Sequence, residues 1–395
     1  MKPEIRIAAI GNVDSAKSTT ISVLINNILD DGRGKARNLI LKHQHETNTG
    51  RTSSITQKFI ETEKSIIGFI DLAGHEKYLK TTMSGLNGFL IDYCIVTIGA
   101  DRGIIGMTKE HLSIAIALKI PLIIIITKID IAKDHKLIKI KNKLNKLLSH
   151  KLLDNKKILY INDSITKINI NNTIPIFEIA NITGYNINRL KNFIYNLPKI
   201  NILNKSNDEN NTLFKIDDRY KIKGIGIVIS GLVKKGTIKT GDKLFLGPFK
   251  NGDFKEVIIK TIHNNFRKFV NELHYGQGGC FNIKLVNKKD VLDFNLIKLG
   301  HILIKKPFSI KKFKAKVTIL HHPTTIKINY QPIIHCGTVK QSAKICKMDK
   351  ELIRTGDTAT VIFEFLFYPV YIEKNTKIIF REGKTKGIGR VLEII

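Results

Sequence analysis

The segment IRIAAIGNVDSAKST, residues 5–19, decides how this sequence is interpreted. Its apolar half is typical of a buried β-strand, and the half that follows comes within one residue of the phosphate-binding pattern G-x-x-x-x-G-K-[ST]. Ala16 stands where the second glycine is expected, at the point where the backbone has to come close to phosphates. Because a glycine-containing turn between a strand and a helix also occurs for structural reasons alone, this match needs support from the rest of the chain.

Length and composition indicate an ordinary globular protein. The chain has 395 residues, of which 43% are hydrophobic and 25% charged, enough for about two to four domains with cores of their own. Its longest apolar stretches, such as residues 120–127, are too short to cross a bilayer, and the amino terminus has no cleavage-site pattern. Four cysteines without a C-x-x-C pair favour neither a disulfide framework nor a zinc site. We therefore expect a soluble cytoplasmic protein with no membrane partner.

The charge balance is unusual. The chain carries 65 Lys and Arg against 34 Asp and Glu, a formal net charge of +31. Such a field attracts polyanions, nucleic acid above all. Alternatively, a chain rich in Lys, Ile and Asn carries many solvated lysines that bind no partner. Composition alone leaves both interpretations open.

Residues 1–198 alternate short apolar runs with helical patterns. The runs IRIAAI, IIGFIDLA, DYCIVTIGA, PLIIIIT and TIPIFEIA are typical of strands buried on both faces. This alternation predicts an α/β domain with a doubly wound, mostly parallel sheet. Apolar residues at helical spacing predict a covering helix over residues 137–152, whose surface lysines make membrane or RNA binding a minority alternative.

The pattern changes after residue 198. Residues 199–212 are polar and lack periodicity, as expected of a linker. Short β-runs punctuated by Gly and Asp follow, among them GIGIVISG, KAKVTIL and DTATVIFEF. They predict two antiparallel β-barrel domains, over residues 213–306 and 307–395, divided near the segment PFSIKKF.

Two further motifs support a nucleotide site. In FIDLAGHEKY, Asp71 ends an apolar strand, where a carboxylate can reach Mg²⁺ through a water, and the amide of Gly74 can contact a γ-phosphate. In IIIITKID, the carboxylate of Asp130 can accept two hydrogen bonds from guanine that adenine does not offer. Both motifs and the phosphate-binding loop follow predicted parallel strands, at the edge where open α/β sheets bind ligands. Together they favour a guanine nucleotide site over a set of structural turns.

With these motifs in this order, the chain resembles the translational GTPases typified by elongation factor Tu, and most closely the subgroup of GTP-binding proteins one and two. The resemblance covers nearly the whole chain. It rests on GNVDSAKST, DDGRGKAR, GRTSS, FIDLAGHEKYLKTT, GIIGMTKEHL, TKID, GIGIVISG, LHHPTT, HCG, RTGD and FREGKTKGIG, between residues 11 and 389. The sequence begins almost at the first domain, so we expect no amino-terminal extension of the kind that relatives carry.

The resemblance implies which residues bind GTP or GDP. Lys17 would reach the β- and γ-phosphates, and Ser18, Thr52 and Asp71 would hold Mg²⁺, Thr52 in the GTP state. His75 would orient the attacking water and is the implied catalytic residue. The implied nucleotide contacts are Gly11, Asn12, Val13, Asp14, Ser15, Ala16, Lys17, Ser18, Thr19, Asp71, Leu72, Ala73, Gly74, Thr127, Lys128, Ile129, Asp130, Ala180 and Asn181.

The sequence departs from the family pattern in three places, one of them a pair of residues. Thr127 replaces the Asn usual in N-K-x-D, although the resembled subgroup also uses Thr. Ala180 and Asn181 stand where a Ser-Ala pair usually brings a backbone amide to guanine O6. The third departure is Ala16, whose β-carbon would crowd the phosphates or, at positive φ, add strain of about 1–2 kcal/mol. Nucleotide affinity is then expected to be roughly tenfold to thirtyfold weaker than with glycine.

The resemblance implies a monomeric, three-domain, Mg²⁺-dependent GTPase that hydrolyses GTP to GDP and phosphate. Its expected partner is RNA, as tRNA, mRNA or the ribosome, held and released as the loops around Thr52 and Gly74 order and relax. Candidate RNA contacts in the barrel loops are Lys234, Lys235, Lys384 and Lys386. Delivery of tRNA and turnover of RNA both stay open. So does a different class, a GTPase-like scaffold that binds RNA or protein with weak nucleotide affinity and little turnover.

Overall fold

The computed structural model describes residues 2–40, 55–149, 156–161, 168–170, 172–200, 212–287, 289–336, 339–382 and 385–395. Contacts along the chain divide the protein into two compact units. The first comprises Met1–Leu86 and Leu90–Asn201, and the second Asn87–Phe89 and Ile202–Ile395. In the described residues the first unit is α/β and the second is built mainly from β-strands.

A seven-stranded sheet forms the centre of the first unit. Its strands are β1 (Glu4–Gly11), β2 (Thr56–Glu61), β3 (Ile66–Asp71), β4 (Tyr93–Gly99), β5 (Leu122–Thr127), β6 (Lys157–Tyr160) and β7 (Thr173–Glu178). Their order is β2-β3-β1-β4-β5-β7-β6, and every neighbouring pair is parallel except β2 with β3. The strands β1, β4 and β5 are buried along their whole length, as strands covered on both faces must be. This order brings the carboxyl ends of β3, β1, β4 and β5 side by side.

The described residues contain six α-helices, which belong to the first unit except for the last two residues of the third. They are α1 (Lys17–Asn26), α2 (Lys35–Asn38), α3 (Leu79–Gly88), α4 (Gly106–Ala117), α5 (Asp134–Leu148) and α6 (Ile187–Tyr195). The helix predicted over residues 137–152 is α5, which begins earlier than expected because Asp134 suits the positive end of a helix. Its buried residues are Ile140, Leu144 and Leu148, and residues 150–155 lie outside the described part of the chain.

The second unit begins with a closed antiparallel sheet. Its strands are β8 (Leu213–Ile222), β9 (Gly226–Lys235), β11 (Lys243–Gly247), β12 (Lys255–Asn264), β13 (Phe269–Val270), β15 (Gly278–Leu285) and β16 (Ile302–Ile304). The order is β11-β16-β8-β9-β15-β12-β13, and β11 also pairs with β12, which closes the sheet. The short strands β10 (Thr237–Lys239) and β14 (Glu272–His274) pair separately. Phe214 and Phe281 pack together in the core, with ring centroids 4.4 Å apart.

A second barrel follows within the same unit. Its strands are β17 (Lys312–His321), β18 (Ile333–Cys336), β19 (Val339–Met348), β20 (Thr358–Phe365), β21 (Lys377–Glu382) and β22 (Thr385–Ile394). They close in the order β17-β20-β19-β18-β21-β22. Buried residues alternate with less buried ones along β20, since successive side chains of a strand point to opposite faces. Phe313, Phe363 and Phe365 fill the interior.

The predicted fold class is confirmed: a mostly parallel α/β sheet is followed by two closed antiparallel sheets. The predicted linker falls almost wholly outside the described residues, and the boundaries drawn at residues 198, 212 and 306 stay predictions. None of the helices in the described ranges is long and apolar enough to cross a membrane.

Candidate nucleotide-binding site

The phosphate-binding loop joins β1, which ends at Gly11, to α1, which begins at Lys17. Asp14 and Ala16 both adopt the left-handed backbone conformation, with φ of 61° and 59°. Positive φ at Ala16 is the condition under which the sequence predicts strain. The amide of Thr20 donates to the Ala16 carbonyl at 2.9 Å and closes the first turn of α1. The helix itself therefore helps to hold Ala16 in this conformation.

Ser15 anchors the same loop to the sheet. Its hydroxyl donates to the Asn12 carbonyl at 2.7 Å and lies 2.7 Å from the hydroxyl of Thr97 on β4. Thr127, the fully buried last residue of β5, donates its hydroxyl to the Ser15 carbonyl at 3.1 Å. The shorter Thr127 side chain, a departure from N-K-x-D, thus still ties the base-recognition motif to the phosphate-binding loop.

Lys17 is the cation of this loop. Its side chain is buried, and its Nζ donates to two loop carbonyls, at 2.7 and 3.3 Å. Burial lowers the pKa of Lys17 to about 8, while the charges of Asp71 and Asp14 oppose that shift. A β-carbon on Gly74 would lie 2.8 Å from backbone atoms of Gly11 and Asn12, as well as 2.5 Å from Lys17 Nζ, so glycine is needed for this approach. The two motifs therefore form one cradle around a buried amine, which suits an anionic ligand.

Ser18 and Asp71 form the candidate magnesium position. Ser18 Oγ donates to Asp71 Oδ2 at 2.5 Å, and Asp71 is buried at the end of β3. Hydroxyl and carboxylate oxygens suit Mg²⁺, which in nucleotide sites takes few protein ligands besides phosphates. The described residues contain no cluster of three or more His, Cys, Asp and Glu that could hold a metal alone. The pair therefore fits an ion shared with phosphates. Thr52, the third implied ligand, lies outside the described residues.

The segment after β3 sets the position of His75. Leu72 and Ala73 are buried, and Thr82 Oγ1 donates to the Ala73 carbonyl at 2.8 Å. His75, in contrast, is exposed and begins a 3-10 turn, where its Nδ1 accepts a hydrogen bond from the amide of Lys77 at 3.1 Å. Since Nδ1 is an acceptor, a neutral ring carries its proton on Nε2. The ring is thus fixed at one nitrogen and open to solvent.

The base-recognition motif follows β5. Lys128 has a φ of 59°, and its Nζ lies 2.9 Å from Asp101 Oδ2. This ion pair holds Lys128 against the loop that follows β4. Asp130 lies in the 3-10 turn Ile129–Ile131, and its side chain is exposed. The structure thus gives Lys128 an anchoring contact and leaves the Asp130 carboxylate accessible to a base.

Residues 180 and 181 lie on a third loop, after β7. The amide of Ala180 donates to the Tyr185 carbonyl at 3.2 Å. The buried Asn181 donates its Nδ2 to Thr20 Oγ1 of α1 at 3.0 Å, so this loop is joined to the helix that leaves the phosphate-binding loop. Because the Ala180 amide is engaged, the amide of Asn181 is the better candidate for guanine O6.

Two residues of this site were missed from the sequence. His111 on α4 is fully buried, and its Nδ1 lies 3.1 Å from the carbonyl oxygen and 3.3 Å from the amide nitrogen of Gly11. Burial, followed by the charge of Lys17, lowers the pKa of His111 to about 4, so the ring is neutral near pH 7. Buried positions recur along α4 at helical spacing, a signal that could have placed His111 inward. Nothing local marks Asp101, the partner of Lys128.

The sequence matches two family models. Residues 2–200 match the elongation factor Tu GTP binding domain, and residues 306–395 match the elongation factor Tu C-terminal domain. The chain is 37% identical to GTP-binding protein 1 of Xenopus laevis, over 99% of this chain and 64% of that protein. It is 32% identical to GTP-binding protein 2 of Homo sapiens, over 99% and 69%. The chain thus spans about two thirds of the length of these relatives.

Solved structures share the fold. The S. cerevisiae Ski7 GTPase-like domain bound to GTP superposes with a TM-score of 0.79 at 16% identity, covering 99% of this chain and 97% of that one. A bacterial selenocysteine-specific elongation factor, EF-Sec, superposes with a TM-score of 0.76 at 21% identity, covering 99% and 58%. At these identities the likeness is one of fold.

Proposed function

Because the chain belongs to the translational GTPases with an elongation factor Tu GTP-binding domain, we propose that it is a Mg²⁺-dependent GTPase that hydrolyses GTP to GDP and phosphate. The observation that best supports this is the meeting of Lys17, Ser18 and Asp71. Ser18 lies 2.5 Å from Asp71, and Asp71 also acts on the buried charge of Lys17. A cation, a hydroxyl and a carboxylate brought together at one edge of the sheet can hold both a triphosphate and its metal ion.

In this proposal the residues act by position and charge, without a covalent intermediate. The backbone amides of residues 14–19 and the Lys17 amine hold the phosphates. Mg²⁺, held by Ser18 and Asp71, would neutralise the oxygens of the β- and γ-phosphates. His75 orients the attacking water, because its exposed ring accepts the Lys77 amide at Nδ1 and can donate to the water from Nε2. Asp130 selects guanine through its two carboxylate oxygens.

We further propose that the switch acts on RNA, whether tRNA, mRNA or the ribosome. The net charge of +31 supports a polyanionic partner, and relatives of this fold include a protein named as an elongation factor. The lysines expected in barrel loops need correction. Lys234 and Lys235 end strand β9, Lys386 lies in β22, and Lys384 is outside the described residues. Lys235 also lies 2.6 Å from Glu373, which offsets its charge.

Nucleotide selectivity and phosphate release test the proposed activity together. With Mg²⁺, the protein should prefer GTP and GDP over ATP and release phosphate from GTP in a single turnover. Asp130→Asn should lower the ratio of GTP affinity to ATP affinity at least tenfold, because hydrogen bonds to a charged group contribute about 1.5–3 kcal/mol each. Asp134→Asn, an exposed carboxylate at the start of α5, is the matched control and should keep the preference. Equal binding of GTP and ATP by the unaltered protein would contradict the proposal.

A GTPase-like scaffold is the second candidate, favoured by the β-carbon that Ala16 places where the phosphate-binding pattern has glycine. It binds the same partner but turns over little nucleotide. The measurement that separates the two is phosphate release with saturating GTP, with and without added ribosomes or RNA. Nucleotide binding without release under every condition would favour the scaffold and reject the enzyme.

A further inference from the structure

The loop between β4 and α4 lies beside the phosphate-binding loop. It turns tightly, because the amides of Arg102 and Gly103 both donate to the Gly99 carbonyl, at 3.2 and 2.7 Å. A β-carbon built on Gly99 would lie 3.7 Å from the Asp14 carbonyl oxygen, which is van der Waals contact. Asp101, next in the loop, is held by Lys128 at 2.9 Å. The loop is thus fixed between the two nucleotide-binding motifs.

Arg102 reaches from this loop to the phosphate-binding loop. Its Nη2 lies 3.2 Å from Asp14 Oδ2, and about half of the Arg102 side chain and a third of the Asp14 side chain are exposed. An ion pair between side chains this exposed contributes little to stability. What matters for function is therefore where it places the Arg102 charge. Asp14 sits inside the loop that has to accept phosphates, where an uncompensated carboxylate would repel them. Arg102 brings a second cation to that place, besides Lys17.

We propose that Arg102 is a phosphate-contacting residue of this site, an arginine that the chain supplies to its own nucleotide. The inference rests on the proposed GTPase activity. A guanidinium offers five N–H donors in a planar fork, so it can keep its contact with Asp14 on one edge and donate to a phosphate oxygen from another. The Asp14 carboxylate orients the fork, and solvent exposure leaves its other edge accessible.

The chemistry gives such an arginine a role in the rate. In hydrolysis the water oxygen bonds to the γ-phosphorus while the bond to the β–γ bridging oxygen breaks, and that electron pair stays on the β-phosphate. A guanidinium at the β- and γ-phosphates stabilises this charge, as arginines supplied within a chain do in other GTPases. It also favours GTP over GDP, because GTP carries the additional phosphate charge.

Arg102→Ala and Asp14→Asn, alone and combined, test the proposal. Arg102→Ala should slow single-turnover hydrolysis at least tenfold and weaken binding of a fluorescent GTP analogue more than that of the GDP analogue. Adding Asp14→Asn should not restore the rate, because the lost contact is to phosphate. Recovery in the double variant would overturn the proposal, since Arg102 would then only neutralise Asp14. An unchanged rate and unchanged GTP to GDP affinity ratio in Arg102→Ala would overturn it as well.

Two controls keep this test separate from that of the proposed function. Arg354→Ala, an exposed arginine of the second unit, should change neither the rate nor the affinity ratio. If the unaltered protein binds GTP without hydrolysing it, the proposed activity fails, while the affinity ratio still decides the role of Arg102. Should Arg102→Ala lose its folded circular dichroism spectrum, Arg102→Gln and Arg102→Lys serve instead; Lys keeps the charge without the fork and should retain only part of the rate.

Discussion

Replacing Ala16 by glycine should stabilise the first unit. Ala16 has a φ of 59° and a ψ of 29°, a left-handed conformation that costs a residue with a β-carbon about 1–2 kcal/mol. The chain's own contacts impose it: Thr20 donates to the Ala16 carbonyl at 2.9 Å, and Ser15 is held by Asn12 at 2.7 Å. The strain therefore burdens the folded protein itself, in contrast to the sequence-based expectation that it weakens nucleotide binding.

The net gain is smaller than the strain. Glycine removes the penalty at positive φ but adds about 0.5–1 kcal/mol of backbone entropy to the unfolded chain. The free energy of unfolding should therefore rise by about 0.5–1 kcal/mol in Ala16→Gly, which for a unit of this size raises the melting temperature by about 1–4 °C. Nucleotide affinity should change by less than about threefold, since Ala16 is equally strained in the nucleotide-free and the nucleotide-bound protein.

Scanning calorimetry and nucleotide titration with Mg²⁺, on both forms, provide the assay. Ala117→Gly, at a helical position in α4, is the matched control and should lower the melting temperature, because there the glycine relieves no strain. A tenfold to thirtyfold gain in affinity without a change in melting temperature would refute the reasoning, since the strain would then arise only on binding. An unchanged melting temperature and affinity would show that the loop accommodates the methyl group without cost.

Three further predictions concern hydrolysis, pH and salt. His75→Ala should leave GTP affinity nearly intact and slow single-turnover hydrolysis by about a hundredfold, the effect of losing one positioning group. His135→Ala, which changes another exposed histidine, should leave the hydrolysis rate unchanged. Equal hydrolysis rates in His75→Ala and the unaltered protein would remove His75 from the reaction. Because the pKa of His111 falls from 6.5 to about 4 in the folded state, the unfolded chain binds more protons between these values, and stability should fall by up to a few kcal/mol as pH drops across that window. His111→Gln should lack this component, and parallel stability profiles of the two proteins in urea titrations would contradict it. If the positive charge binds single-stranded RNA, the logarithm of affinity should fall with the logarithm of salt by about 0.7 per phosphate contact, and a flat profile would reject an RNA partner.

The sequence by itself determined the five central strands of the first unit's sheet and the positions of its motifs, but not the edge strands β2 and β6. Runs such as residues 122–127, almost wholly isoleucine and leucine, can be satisfied only by strands buried on both faces, so β5 was placed correctly. The same holds for β1, which leads into the phosphate-binding loop. Each motif begins where such a run ends, and the carboxyl ends of parallel strands share one edge of the sheet. Local pattern therefore sufficed to bring Lys17, Asp71 and Asp130 to one edge.

Only the tertiary structure decided which side chains meet at that edge. Thr127 donates to the carbonyl of Ser15, which lies 112 residues earlier in the chain, because β1, β4 and β5 are neighbours in the sheet. The pairing of Arg102 with Asp14 has the same origin, since the loop after β4 lies next to the loop after β1. Hydrophobic periodicity reports which residues are buried but not which strand lies beside which, so contacts between loops of different strands have no local signal.

The conformation of Ala16 likewise needed the structure. The sequence showed only that a glycine is missing, and two explanations, crowding of the phosphates and backbone strain, fitted equally well. The structure shows a positive φ at Ala16, with the Thr20 amide bonded to the Ala16 carbonyl and the Ser15 hydroxyl bonded to the Asn12 carbonyl beside it. The sequence pattern thus identifies the residue that departs from the family, whereas the backbone conformation in the folded protein decides what the departure costs.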